Sequence, residues 1–355
     1  MHSDILIIGG GMSGLSLATR LHAAGRDVHL VEARDRLGGR ILSKEGFDLG
    51  PAWFWPGQPR MAALIRQLGL RRFDQYAQGA LTFEDADGRV ERGRGFASME
   101  GSWRVKGGLG ALIAALARHL PQGRIHLSTP VTAIARSHDA ITVTSATGAS
   151  FTARSVVLAI PPRVASGLRF SPGLPDAAQQ AMTATPTWMA GQAKAVAIYD
   201  RPFWRDAGLS GDAISRRGPL AEIHDASPHK GGPYALFGFV GVPPQARADG
   251  PALKAAIRAQ LARLFGAEAA TPTHLIVKDW AADPFTATTA DQAPLYAHPR
   301  YGLPQVLSGL WDGRLLFSGS ETAPTFGGFL EGALEAADAT LATLTKDHKV
   351  AAHDH

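Results

Sequence analysis

The chain has 355 residues, of which 45% are hydrophobic and 19% charged, a balance typical of a globular protein with room for two domains. Its formal charge of +5 comes from scattered lysines and arginines, which argues against nucleic-acid binding, and its apolar runs are too short for a membrane span. Because the chain contains no cysteine, disulfides, cysteine metal sites and a cysteine-linked cofactor are excluded.

The N-terminal elements alternate between strand and helix. Residues 4–8 and 28–31 are predicted as buried strands, and residues 12–24 as a helix with one apolar face. The first strand leads directly into a glycine-rich turn, so we expect no signal peptide and a cytoplasmic location. A strand–helix–strand unit of this kind is typical of a Rossmann-like fold.

The rest of the chain mixes helices with strands that belong to a second sheet. Helices are predicted over residues 109–120, 251–265 and 329–344. Strands are predicted over residues 140–145, 149–153, 156–160, 194–199, 234–240 and 315–318. No repeat or low-complexity linker separates these elements, which indicates interleaved domains.

The first glycine-rich turn has the G-x-G-x-x-G pattern of a dinucleotide-binding site. Gly9 makes the tight turn, Gly11 lets the backbone approach a pyrophosphate, and Gly14 lets the helix pack closely on the strand. The N-terminus of the helix presents free N–H groups to the phosphates. Glu32, at the end of the second strand, is placed to accept hydrogen bonds from ribose hydroxyls.

Two further glycine-rich segments lie at residues 36–40 and 319–333, the second of them close to the C-terminus. Three such segments at opposite ends of the chain indicate one long cofactor that is bound along its whole length. This favours FAD over a nicotinamide cofactor that exchanges freely.

Several ordered motifs resemble those of the flavin-containing amine oxidase family, which includes monoamine and polyamine oxidases. Residues 32–40 read EARDRLGGR, and residues 48–50 read DLG. Further similar segments are VLAIPP at residues 157–162, the strand that carries Lys194, the Asp279-Trp280 pair, and residues 317–333. Because the motifs keep family-like order and spacing, the chain is identified as a short member of this family.

The resemblance implies an FAD cofactor, and the absence of cysteine predicts that it is bound non-covalently. Arg36 and Arg40 would lie beside the pyrophosphate, the backbone of Val131 would meet the adenine, and Glu321 would hold cofactor hydroxyls. The helix near residue 329 would direct its N-terminus at the flavin. The implied FAD-binding residues are Gly9, Gly11, Met12, Ser13, Gly14, Glu32, Ala33, Arg34, Gly38, Gly39, Arg40, Gly50, Pro51, Ala52, Trp53, Val131, Trp280, Gly319, Ser320, Glu321, Gly328, Phe329 and Leu330.

The resemblance also implies two catalytic residues. Lys194 would hold a water against flavin N5 and assist electron transfer to oxygen, and Phe329 would supply an aromatic ring in front of the flavin. The family has a second ring at the position of Ala290, so one ring is missing here. Thr289 stands where some members carry a cysteine bound to the flavin.

The chain is short between residues 95 and 107, where the family usually carries a long helical insert over the substrate cavity. Only a loop with Trp103 remains, which predicts a more open site, a larger substrate, or a pocket completed by a partner chain. His224 and His229 are interpreted as isolated residues on a polar loop, and no metal site is expected.

The resemblance gives the fold class as α/β, with a Rossmann-like, glutathione-reductase-type FAD-binding domain. We expect this domain to be discontinuous, and its segments are residues 1–52, 104–162 and 303–345. An interleaved α+β substrate domain, built on a mixed or antiparallel sheet, is expected over residues 53–103 and 163–302. Residues 346–355 are predicted to form a disordered tail.

The predicted function is that of an FAD-dependent oxidoreductase of the amine-oxidase type. A hydride equivalent would pass from a C–N bond, or an activated C–H bond, to flavin N5, and O2 would reoxidise the flavin to give hydrogen peroxide. The expected substrate is a small molecule, bulky or hydrophobic. The alternatives are a desaturase or isomerase on the same scaffold and a non-catalytic flavin-binding subunit. The sequence does not specify the substrate or the oligomeric state.

Overall fold

The computed structural model describes residues 2–293, 295 and 297–351. The helices are α1 (Met12–Ala23), α2 (Pro59–Gln67), α3 (Gly108–Ala117), α4 (Pro162–Ala165), α5 (Asp176–Ala184), α6 (Phe203–Asp206), α7 (Gly250–Phe265) and α8 (Leu330–Ala351). The strands are β1 (His2–Ile8), β2 (Val28–Val31), β3 (Ser43–Lys44), β4 (Phe47–Asp48), β5 (Arg72–Asp74), β6 (Ala80–Glu84), β7 (Val90–Arg92), β8 (Trp103–Val105), β9 (Ile125–His126), β10 (Val131–Arg136), β11 (Ile141–Ser145), β12 (Ser150–Leu158), β13 (Arg169–Ser171), β14 (Ala193–Tyr199), β15 (Leu209–Ser215), β16 (Leu220–Asp225), β17 (Tyr234–Val240), β18 (His274–Asp279) and β19 (Leu315–Phe317).

The first sheet has a parallel centre. Its strand order is β13-β10-β11-β12-β1-β2-β9, and β19 pairs with the C-terminal half of β12. Strand β1 lies between β2 and β12 and runs parallel to both. Its residues Ile5–Ile8 are all buried, as expected of a central parallel strand that is covered on both faces. Helices α1, α3 and α8 pack together beside this sheet.

The second sheet is mostly antiparallel. Its order is β18-β14-β17-β16-β15-β6-β7, and only the β15–β6 pair is parallel among the described strands. Strand β14 is buried along its whole length because its alternate side chains pack into a hydrophobic cluster on each face of the sheet, while β17 and β18 pair with its two edges. Helix α7 packs one apolar face on this sheet through Leu253, Ile257 and Leu261. The predicted combination of a Rossmann-like sheet with a mixed second sheet is confirmed.

The predicted elements are all present, with three differences. Residues 156–160 do not form a separate strand, because β12 continues from the hairpin as far as Leu158. Helix α8 continues to Ala351, past residue 346 where the tail was predicted to begin, and residues 352–355 lie outside the described residues. His224 is not on a loop, since it is a buried residue of strand β16.

The strands of the two sheets come from alternating stretches of the chain. Two elements that the predicted division gave to the substrate domain pack with the first sheet. Strand β13 pairs with β10, and helix α2 contributes Met61 and Ile65 to the core beneath α1 and α8. The domain division itself stays a prediction.

Two histidines lie at the edge of the first sheet, close to Glu32. The His29 and His126 rings are stacked with their centroids 5.2 Å apart, and His29 Nδ1 lies 2.9 Å from His126 Nε2. Arg124, which can only donate, lies 2.7 Å from His29 Nε2. His29 is therefore neutral, with its proton on Nδ1. Burial, followed by the charge of Arg124, lowers the pKa of His29, and burial lowers the pKa of His126.

Because both histidine pKa values are lowered on folding, the unfolded chain binds more protons as the pH falls below 6.5. We expect the histidine pair to reduce the free energy of unfolding over that range. His126→Gln removes one of the titrating rings, so its melting temperature should fall less than that of the wild type between pH 7 and pH 5.5. An equal fall of the melting temperature in both proteins, measured by calorimetry, would show that protonation of His126 is not linked to unfolding.

Candidate functional site

A cavity of about 350 Å³ lies where the two ends of the chain meet the second sheet. Its size is in the usual range for ligand pockets. Twenty of the residues predicted to bind the cofactor or to act in catalysis line it. They are Gly9, Gly11, Met12, Ser13, Glu32, Arg34, Gly38, Gly39, Arg40, Gly50, Pro51, Ala52, Trp53, Lys194, Trp280, Gly319, Ser320, Gly328, Phe329 and Leu330.

The turn between β1 and α1 depends on glycines. A Cβ on Gly14 would overlap the Gly9 carbonyl oxygen and would approach Ala159 Cβ to 2.9 Å. Gly9 has a φ of +110°, which L side chains rarely adopt. A Cβ on Gly11, in contrast, would meet no atom closer than 4.0 Å, so its open side faces the cavity. Helix α1 therefore presents its N-terminus to the cavity.

Glu32 is buried and its orientation is fixed by the backbone. Its Oε2 accepts a hydrogen bond of 2.7 Å from the Gly10 N–H, and its Oε1 accepts one of 2.9 Å from the Arg34 N–H. Its own backbone is held by β9, because the Glu32 N–H donates to the His126 carbonyl. The carboxylate keeps lone pairs for a ligand hydroxyl in the cavity.

Arg34 connects this end of the cavity to the segment after Trp280. Its guanidinium lies 2.5 Å from Asp283 Oδ1 and donates a 3.0 Å hydrogen bond to Thr286 Oγ1. Lys278 binds the other oxygen of Asp283 at 2.9 Å. Burial raises the pKa of Asp283, but the charges of Arg34 and Lys278 outweigh it and hold that pKa below its ordinary value. The residues that follow Trp280 are thus fixed across the cavity.

An ion pair joins the second glycine segment to the third. Arg40 Nη1 lies 2.6 Å from Glu321 Oε1, and its Nη2 donates a 3.0 Å hydrogen bond to Ser320 Oγ. Glu321 is fully buried, and its carboxylate has no well-directed hydrogen bond from the described residues. Ser13 strengthens the junction by donating to the Ser318 carbonyl.

Lys194 lies on β14 beneath the cavity and is 5% exposed. Its Nζ donates a 2.6 Å hydrogen bond to the Gly50 carbonyl and lies 5.3 Å from the centroid of the Phe239 ring. Burial lowers the pKa of Lys194 to about 8, although the nearby charge of Asp48 partly opposes that shift. The ammonium group can therefore lose its proton near neutral pH, as few surface lysines can.

Two groups of apolar side chains form the walls beside Lys194. The first wall consists of Trp53, Trp55, Met99 and Phe239, which belong to one hydrophobic cluster. The second wall consists of Trp188, Met189 and Phe329. The His298 ring lies outside the second wall, stacked on Phe329 at 4.9 Å and edge-on to Trp188 at 4.9 Å.

Four predicted cofactor residues do not line the cavity. Gly14 acts in packing, Ala33 lies between two lining residues, and Glu321 lies behind Arg40. Val131 lies at the start of β10 and packs on the core of the first sheet, so its role at the adenine stays a prediction.

Arg36 does not line the cavity. Its guanidinium donates to the carbonyls of Leu37, Gly39 and Ile41 and stabilises its own loop, and its place beside a pyrophosphate stays a prediction.

The segment after Trp280 reaches the cavity through Phe285 and Thr286, and not through Ala290. Ala290 is exposed and lines a separate small cavity with Trp188. The lining residues absent from the predicted set are Ile41, Trp55, Gln58, Met99, Ala159, Ile160, Pro161, Trp188, Met189, Phe239, Phe285, Thr286 and Ala333. Ala159, Ile160, Pro161 and Ala333 lie within motifs that resemble the family, but Met99 and Trp188 come from loops without any motif.

Residues 12–97 and 94–340 match the family profile described as flavin containing amine oxidoreductase. The chain belongs to this family. The match divides at residues 94–97, at the start of the loop where the sequence analysis found the chain to be short.

Relatives align with most of the chain at modest identity. The probable flavin-containing monoamine oxidase A of Dictyostelium discoideum is 23% identical, over 94% of this chain and 95% of its own. The putrescine oxidase of Kocuria rosea is 25% identical, over 67% of this chain and 73% of its own. The first alignment spans 441 residues, so the relative has segments without a counterpart here.

Solved structures agree on the fold. A putrescine oxidase bound to putrescine superposes with a TM-score of 0.81 at 22% identity, and covers 98% of this chain and 99% of its own. The cyclohexylamine oxidase from Brevibacterium oxydans superposes with a TM-score of 0.79 at 19% identity and with the same coverage. This chain is therefore an amine-oxidase-like oxidoreductase with a flavin cofactor.

Among the described residues, no helix combines the length and the hydrophobicity needed to cross a bilayer.

The cavity fits a flavin nucleotide by four of its features. The open side of Gly11 leaves room for a phosphate at the N-terminus of α1, and Glu32 offers free lone pairs to hydroxyls. Glu321 Oε2, which has no hydrogen-bond partner among the described residues, lies beside the lining residues Gly319 and Ser320. Helix α8 begins at Leu330 and directs its N-terminus into the same cavity.

The two glycines of the first turn provide a matched pair of substitutions. Gly14→Ala should lower the free energy of unfolding by about 2 kcal/mol or more, because the new Cβ overlaps backbone. Gly11→Ala should change it by about 1 kcal/mol or less, yet weaken flavin binding at least about tenfold, because the methyl group occupies cavity space. Denaturant unfolding of the flavin-free proteins and fluorescence titration with FAD measure the two effects. Unchanged FAD affinity in Gly11→Ala would place the phosphate elsewhere.

Proposed function

We propose that this chain binds FAD non-covalently along the cavity and uses it to oxidise a small amine, with O2 as the electron acceptor. When bound, FAD would supply two-electron redox chemistry, by which the amine would lose a hydride and a proton to become an imine and O2 would gain two electrons and two protons to become hydrogen peroxide. The observation that carries the proposal is the position of Lys194, buried between the glycine segments and the aromatic walls.

The glycine segments and their charged residues would hold the nucleotide. The N–H groups at the start of α1 and the guanidinium of Arg40 would balance the pyrophosphate charge. Glu32 would accept from the ribose, and Arg34 with Asp283 would close the cavity over that end. Non-covalent attachment is supported by the absence of cysteine and by the exposed position of Thr289 and Ala290 outside the cavity lining.

Lys194 would serve the step with oxygen. Its Nζ is anchored on the Gly50 carbonyl, which leaves two N–H groups to hold a water or to stabilise negative charge as it develops on oxygen. The walls beside it exclude bulk water and so strengthen that electrostatic effect. A cytoplasmic location stays a prediction from the sequence.

The direct test is a panel of amines offered to the FAD-loaded enzyme, with peroxide and oxygen measured together. We expect one peroxide for each amine oxidised. Bleaching of the flavin by an unsaturated substrate without peroxide would favour a desaturase, and a flavin that no substrate reduces would favour a binding subunit.

Lys194→Met should slow reoxidation of the reduced flavin by O2 at least about tenfold while FAD stays bound, because a fixed positive charge is lost. Since the lysine pKa is about 8, the wild-type rate constant should fall as the pH rises through that value. The rate constant of the variant should stay flat over the same range. Stopped-flow mixing of reduced enzyme with O2 measures both, and an unchanged rate in the variant would remove Lys194 from the mechanism.

A further inference from the structure

The walls beside Lys194 carry no negative charge for a substrate to use. The two walls consist of seven apolar side chains, namely Trp53, Trp55, Met99, Phe239, Trp188, Met189 and Phe329. Of the described residues that line the cavity, Glu32 is the only acidic one, and backbone N–H groups hold both of its oxygens at the nucleotide end. Lys194, a cation, lies beside the first wall, with its Nζ 5.3 Å from the centroid of the Phe239 ring.

Each carboxylate behind the walls has at least one bonded oxygen, and Asp212 Oδ2 has no hydrogen-bond partner among the described residues. Asp212 and Glu222 hold the two nitrogens of His224 at 2.7 and 2.9 Å, on the far side of Trp53. Asp48 accepts from the Leu109 N–H at 2.9 Å. None of these three carboxylates lines the cavity, so none can reach a ligand without displacing a wall residue.

We infer that this enzyme selects monoamines with an apolar tail and discriminates against diamines. The inference rests on the proposed amine oxidation and specifies its substrate class. The tail would lie between the two walls, where burial of each methylene favours binding. A second ammonium at the end of that tail would lose its hydration shell without gaining a carboxylate partner. The aromatic faces would recover only a part of that loss.

Phe329 and Trp188 give the second wall its breadth. Gly328, which directly precedes Phe329 in the third glycine segment, allows the backbone to approach Trp188 closely. A Cβ on Gly328 would lie 3.0 Å from Trp188 Cβ and 3.1 Å from Tyr301 Cε2. His298, stacked on the outer face of Phe329, extends this wall toward solvent. Trp188 thus supplies an aromatic ring to the cavity. Ala290, the position at which the family has its second ring, does not line the cavity.

The test compares amines of equal chain length, butylamine with putrescine and hexylamine with 1,6-diaminohexane, by anaerobic stopped-flow reduction of the FAD-bound enzyme. Saturation curves separate the dissociation constant from the limiting rate of reduction. We expect the monoamine of each pair to bind about 100-fold more tightly, with the difference in the dissociation constant. Equal or tighter binding of the diamines would overturn the inference and leave amine oxidation intact. If the bound flavin is reduced by no amine, the proposed function fails and the inference fails with it.

A matched pair of variants checks the physical cause. Met99→Glu places a carboxylate on the first wall, and Met99→Gln adds a polar group of the same size without charge. Met99→Glu should improve diamine binding relative to monoamine binding about tenfold over Met99→Gln. Equal ratios in the two variants would show that charge does not set the preference, which contradicts the inference even if the wild type prefers monoamines.

Discussion

The close approach of helix α1 to strand β1 is the constraint on which the site depends. No side chain fits at Gly14, because the Gly9 carbonyl occupies the space that a Cβ would need. This contact fixes where the helix begins, and therefore where its free N–H groups lie. Glu32 and Gly10, one on each side of the same turn, are then joined by a hydrogen bond of 2.7 Å. The geometry of the nucleotide end thus follows from backbone packing and not from flexible side chains.

The C-terminal segment completes the cavity because it is bound directly to the N-terminal turn. Ser13 contacts Ser318, and the buried ion pair of Arg40 with Glu321 joins the second glycine segment to the third. Removal of one partner from such a buried pair leaves an uncompensated charge, which typically costs about 3–5 kcal/mol. The contacts hold the start of α8 and Phe329 against the opposite wall, so the nucleotide end and the apolar walls are parts of one rigid cavity.

The sequence predicted the parts of the site that short motifs encode. Strand β2 and strand β17 have the predicted bounds, and the glycine segments line one cavity as expected. Short motifs do not encode the partners that a side chain finds in the folded chain. Arg36 donates to the carbonyls of its own loop, and His224 lies in a strand between two carboxylates. Met99 and Trp188 reach the cavity from irregular loops, so only the folded chain shows that they form its walls.

We propose that one FAD is held, without a covalent bond, between the two ends of this polypeptide. Acid precipitation of the purified protein, followed by mass spectrometry of the released flavin and of the pellet, tests this directly. We expect FAD in the supernatant, about one molecule per chain, and an unmodified polypeptide mass. A colourless protein that takes up no added FAD, or a flavin that stays on the precipitated chain, would contradict it.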